Sequence, residues 1–131
     1  MGSIKDFFAS PAFAVVGASS RREKFGNKVL RCYIQNNLIV TPVNPVEKII
    51  EGLACVSDVI LLPENVKSIS IITNPNVTTK VVANAINHGI KNIWMQPGAA
   101  SEDAVQMCIA NGINVIANGP CILVELGFRG E

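Results

Sequence analysis

The stretch Phe13-Ala14-Val15-Val16-Gly17-Ala18-Ser19-Ser20-Arg21-Arg22-Glu23-Lys24-Phe25-Gly26 decides the fold. Its first four residues are wholly apolar and follow shortly after Pro11, which is the pattern of a strand buried on both faces of a parallel sheet. A polar run then interrupts it. After that run Phe25, Val29, Cys32 and Tyr33 recur at helical spacing until Asn36-Asn37 ends the pattern. A buried strand, a short loop and an amphipathic helix make the opening of a βαβ unit.

Outward from this stretch the alternation repeats. Leu38-Ile39-Val40-Thr41-Pro42-Val43 reads as a second strand, stopped by Asn44-Pro45. Ser68-Ile69-Ser70-Ile71-Ile72-Thr73 reads as a third. Asn74 is a favoured helix cap and Pro75 a favoured first helical residue. Val77, Val81, Val82, Ala85 and Ile86 then line one helix face, and His88-Gly89 closes it. Asn92-Ile93-Trp94-Met95-Gln96 is a strand, Ser101 caps a helix with Glu102 and Asp103 in its first turn, and Asn114-Val115-Ile116-Ala117 is a last strand. The segment 57–63 suits a strand or a short buried helix equally, because periodicity does not separate the two in so short a run. The succession predicts one α/β domain over residues 1–131. Its expected form is a Rossmann-like, doubly wound, mostly parallel sheet of about five strands with helices on both faces. Such sheets take ligands outside the carboxyl ends of their strands.

Composition narrows the function. Of 131 residues, 49% are hydrophobic and 16% charged, with a net charge of +1, which excludes global disorder and a large basic face for nucleic acid. No apolar run approaches the roughly 18 residues of a membrane span. The first residues contain no apolar core of a secretory signal, and Asp6 stands where an N-myristoylation pattern needs Ser or Thr. Cys32, Cys55, Cys108 and Cys121 form no C-x-x-C pair, so metal-ligand spacing is absent and reduced thiols in the cytoplasm are expected.

The loop after the first strand is the expected anion site, since free N–H groups and the helix dipole converge there. Gly17 permits a tight turn, Ala18 follows it, Ser19 and Ser20 bring hydroxyls, Arg21, Arg22 and Lys24 bring charge, and Gly26 opens the helix. Lys24, Lys28 and Arg31 recur at helical spacing as a solvated stripe without interleaved aromatics. The loop is not the dinucleotide fingerprint G-x-G-x-x-G, because Ser19 stands where a glycine is needed. The second strand also ends in Val43-Asn44-Pro45 without the acid that would hold an NAD ribose, and Glu47 comes later, beyond a proline that redirects the chain.

The series Val16-Gly17-Ala18-Ser19, Lys24-Phe25-Gly26-Asn27-Lys28-Val29-Leu30 and Thr41-Pro42-Val43-Asn44-Pro45 resembles the small stand-alone coenzyme A-binding proteins of the YccU type. It is also similar to the CoA-binding domain at the start of the succinyl-CoA synthetase alpha subunit. The resemblance runs on through Gly52-Leu53, Leu62-Pro63, His88-Gly89-Ile90-Lys91 and Trp94-Met95-Gln96-Pro97-Gly98. It implies coenzyme A or an acyl-CoA as ligand. Gly17, Ala18, Ser19 and Ser20, with the Arg21, Arg22 and Lys24 cluster and Gly26, would meet the phosphates. Val43, Asn44 and Pro45 would flank the adenosine. Thr73, Asn74 and Pro75 would line the pantetheine path, with Gln96 and Gly98 near its far end. The resemblance also favours a short helix before Leu62-Pro63. Asn118-Gly119-Pro120-Cys121 departs from the family's Arg-Cys-Pro order, so no role passes to Cys121.

Catalytic groups are scarce. His88, the single histidine, stands at a helix end beside Gly89, which is a structural position. Glu102 and Asp103 read as dipole partners. Cys121, at the carboxyl end of the last strand, is expected to be a buried, inert thiol, with a mixed disulfide to a ligand thiol under oxidising conditions as the alternative. The expectation is therefore a binding, carrier or regulatory module, with an NAD(P)-dependent oxidoreductase and a nucleotide-free interaction protein as alternatives. A protein partner is compatible with all three.

Overall fold

The computed structural model describes residues 2–130. Five parallel strands form the central sheet: β1 (Ala12–Val16), β2 (Val40–Val43), β5 (Val66–Ile71), β6 (Asn92–Met95) and β7 (Asn114–Ile116). Their order is β2-β1-β5-β6-β7, all parallel. The chain steps from β1 outward to β2, then crosses back to the other side of β1 and continues outward. The order thus reverses between β1 and β5, and the carboxyl ends of those two strands mark the switch point.

Every residue of β1 is buried, as its unbroken apolar run predicts. Alternate side chains feed two cores. One face gathers Ala14, Val16, Ile69, Ile71 and Ile93 under α3 (Pro75–His88) and α4 (Glu102–Ala110). The other gathers Phe13, Val15 and Trp94 under α1 (Ile4–Phe8), α2 (Phe25–Gln35) and α5 (Ile122–Glu125). On that second face β5 carries Ser68 and Ser70, whose small side chains leave room for larger partners. The Ser68 hydroxyl donates to the Phe7 carbonyl (2.6 Å), and the Ser70 and Tyr33 hydroxyls bond each other (2.7 Å).

The helix signals in the sequence act as read. The Asn74 side chain accepts from Val77 N and Ser101 from Ala104 N, while Gly89 adopts φ 94° at the end of α3. His88 is structural, with Nε2 2.9 Å from the Leu62 carbonyl oxygen. The ambiguous segment 57–63 holds a single 3-10 turn, Val59–Leu61, capped by the Asp58 carboxylate on Ile60 N.

Three elements lie beyond what periodicity showed. α1 is one short turn, fixed because Phe7 packs edge-on against Trp94 (5.3 Å between centroids). α5 is equally short. A hairpin, β3 (Ile49–Ile50) with β4 (Leu53–Ala54), turns through Glu51 (φ 50°) and Gly52 (φ 79°). Two successive positive φ values are the signature of a two-residue hairpin loop, for which Glu-Gly is a weak sequence signal.

Candidate functional site

Gly17 leaves β1 with φ 95°, turning the chain sharply outward at the switch point. α2 begins eight residues later, and Gly26 in its first turn lies directly against the Gly17 carbonyl oxygen, leaving no space for a Cβ. The helix therefore starts hard against the end of the strand. Between them the loop 18–24 is braced from within. Ala18 is buried and its carbonyl accepts from Asn44 Nδ2 (2.9 Å). Ser19 accepts the Arg21 amide on Oγ (3.1 Å), and its carbonyl accepts from Asn27 Nδ2 (2.8 Å).

An open groove of about 410 Å³ lies outside the strand ends, lined by Gly17 and Val16 of β1, Val43 and Pro45 after β2, and Thr73 after β5. Asp58 and Val59 close one side, and Val77, Lys80, Val81 and Asn84 of α3 form the floor. Its wall is mainly apolar with polar groups at the rim, the composition of a small-molecule site. Of the residues expected from sequence, Gly17, Val43, Pro45 and Thr73 meet here. The other expected residues are not part of its lining. Asn74 and Pro75 are spent starting α3, the former by its capping bond. Gln96 is buried, its Oε1 accepts from Ile122 N (3.0 Å), and its Nε2 is the one buried side-chain polar atom among the described residues without a partner. Gly98 forms an exposed turn with φ 90°. Lys80 and Asn84 escaped the sequence reading. Their spacing puts them beside the Val77–Val81 face, but only the strand order shows that this face reaches the groove.

The basic cluster is largely compensated by the chain's own acids. Arg21 Nε pairs with Glu23 (3.2 Å) and Arg22 with Glu51 (2.8 Å). Hydrogen bonding from Asn27, and then the Arg22 charge, hold the Glu51 carboxyl below its ordinary value. Ser20 is exposed, and its amide donates to Glu47 Oε2 (3.1 Å). Among the described residues Lys24, at the cap of α2, makes no ion pair.

The position of Glu47 corrects the sequence reading. Pro45 does not carry it away from the first loop. The Asn44 side chain accepts from both Val46 N and Glu47 N (2.8 Å each), and this turn folds the chain back toward Ser20.

A family model described as CoA binding domain matches residues 11–127. Among solved structures, a conserved hypothetical protein from Pyrococcus furiosus is 38% identical, with a TM-score of 0.83 over 87% of this chain and 97% of that one. A hypothetical protein from Pyrococcus horikoshii OT3 is 26% identical, with a TM-score of 0.86 over 92% of this chain and 84% of that one. The dinucleotide-forming acetyl-coenzyme A synthetase 1 of Ca. Korarchaeum cryptofilum shares the fold, at 24% identity and TM-score 0.78, over 89% of this chain but 27% of that one.

Proposed function

The chain belongs to the CoA binding domain family, and from that premise we propose that it binds coenzyme A or an acyl-CoA as a module without chemistry of its own. The observation that carries the reading is the apolar groove at the β1/β5 switch point, lined by Gly17 after β1, Thr73 after β5 and the Val77–Val81 face of α3. In this reading the diphosphate lies over Gly17 and Ser19, with Lys24 as its counter-charge. The adenosine packs on Val43 and Pro45. The pantetheine arm follows Thr73 across the apolar floor of α3 toward Gln96 and Gly98.

A binding role without catalysis is supported by the engagement of His88 with the Leu62 carbonyl, outside the groove lining. Cys121 stands at the N-cap position of α5 and is also outside that lining, which favours binding over formation of a mixed disulfide with the ligand thiol under oxidation. The test is a thermal-shift panel of CoA, acetyl-CoA, NAD and NADP, because a ligand that binds only the folded state raises the melting temperature. CoA and acetyl-CoA are expected to raise it. A rise with NAD or NADP alone would assign the groove to a redox nucleotide, and no rise with any would leave an interaction protein.

A further inference from the structure

We infer that Lys80 and Asn84 of α3 hold the ribose 3′-phosphate of the ligand, so that the groove selects CoA over its form lacking that phosphate. This rests on the reading of the groove as a CoA site and names two residues that make it specific. α3 leads away from Thr73 at the switch point, and at 3.6 residues per turn Lys80 and Asn84 stand about one and two turns beyond Val77 on the side that lines the groove. The opposite wall springs from the end of β2. Val43 is bridged to Val56, and Ser57, Asp58 and Val59 follow toward α3, where the Leu62 carbonyl meets His88. An adenosine packed on Val43 and Pro45 therefore faces the second and third turns of α3, while the pantetheine arm passes its first turn.

Lys80 is the one cation in the groove lining. Among the described residues neither its side chain nor that of Asn84 has a hydrogen bond or ion pair within the chain. In a mainly apolar wall, polar groups left free in this way are the ones that orient a ligand. An ammonium with three donors and a carboxamide NH2 one turn away suit a phosphate, which only accepts. The lining also holds one carboxylate, Asp58, on the other wall, where its Oδ1 accepts from Ile60 N at 3.2 Å. Its charge repels a phosphate from that wall and so directs it to the α3 side. In the first loop Arg21 and Arg22 are paired with Glu23 and Glu51, which leaves Lys24 for the diphosphate and Lys80 for the separate ribose phosphate.

The experiment is isothermal calorimetry of the wild-type chain with CoA and with dephospho-CoA, which differ only in the ribose 3′-phosphate. CoA is expected to bind about tenfold tighter, roughly 1.4 kcal/mol. In Lys80→Gln, checked for a native melting transition, CoA is expected to fall to the affinity of dephospho-CoA while dephospho-CoA itself changes by less than about twofold. Asn84→Ala should reduce the preference about threefold, near the worth of one hydrogen bond. Lys91→Gln, which removes a cation outside the groove lining, should leave the preference as it is. Equal affinities in the wild type would overturn the inference while leaving the CoA reading intact. So would a preference that survives in Lys80→Gln, an equal loss of both ligands in that variant, or an equal loss of preference in Lys91→Gln. Binding of neither ligand by the wild type would overturn the CoA reading and this inference with it.

Discussion

Gly26 lies against the carbonyl oxygen of Gly17, closer than any side-chain carbon tolerates. The contact sets where α2 starts relative to β1, and so sets the shape of the loop between them. A methyl group at position 26 has to push backbone, which does not yield as a flexible side chain does. Gly26→Ala is expected to cost about 1–3 kcal/mol of stability, in the range of an overpacked core. A urea unfolding curve reads this directly. An unchanged midpoint would show that the helix start can slide off the strand end, and that the loop geometry is not fixed by this pair.

The cations of the first loop differ in what they have left to give. Arg22 already faces Glu51 at 2.8 Å and Arg21 faces Glu23 at 3.2 Å, whereas Lys24 is exposed at the helix cap without an ion pair among the described residues. Lys24→Ala is therefore expected to weaken CoA binding about fivefold, near 1 kcal/mol for one charge-assisted contact. Arg21→Ala should change affinity by less than about twofold, since Arg21 is turned onto Glu23 instead of the diphosphate and the exposed charge left behind is screened by solvent. Calorimetry at low and high salt separates them. A larger loss from Arg21→Ala than from Lys24→Ala contradicts this division of labour.

What was legible in the sequence follows from how local each signal is. Asn74, Pro75 and Gly89 bracket α3 because capping is settled within a few residues, so both ends of that helix are readable. β1 is readable because burial on both faces demands an unbroken apolar run. α1 is not, since five residues stay helical only where Phe7 is gripped by Phe13 of the following strand and by Trp94 of the distant β6. The site divides in the same way. Gly17 and Thr73 were visible as strand ends. Lys80 and Asn84 became site residues only when the order β2-β1-β5 placed α3 beside the groove. The course of the chain at Glu47 is not readable either, because Pro45 suggests a chain leaving the first loop while Asn44, by accepting from two later amides, turns it back.

The buried thiols predict a loss of stability in alkali. Burial pushes the Cys108 thiol up to about 11, and burial with neighbouring Cys121 pushes Cys32 up to about 11, from an ordinary value of 9.0. Between those values the folded chain keeps protons that the unfolded chain has lost. Stability is then undiminished below about pH 9 and falls as the pH rises toward about 11. The buried Tyr33 hydroxyl, also pushed upward chiefly by burial, adds to the same trend. Urea midpoints at about pH 8 and about pH 10.5 measure the slope, and Cys108→Ala should make it shallower. A wild-type midpoint that holds or rises over this range removes the argument.

Tyr33 and Ser70 offer a test of the core that bears on the ligand loop as well, because α2 carries Tyr33 on its inward face and the loop on its end. Both side chains are fully buried and their hydroxyls meet at 2.7 Å across the α2–β5 contact. Removing one hydroxyl leaves the other buried with its partner gone, which costs about 1–3 kcal/mol. Tyr33→Phe and Ser70→Ala are each expected to destabilise by that order. The double variant should cost less than the sum, because the second change removes a group already left without its partner. A double-mutant cycle from urea unfolding gives the coupling. Strict additivity would mean that the two hydroxyls do not depend on one another, and that α2 is held to the sheet by apolar packing from Val29, Leu30 and the Tyr33 ring alone.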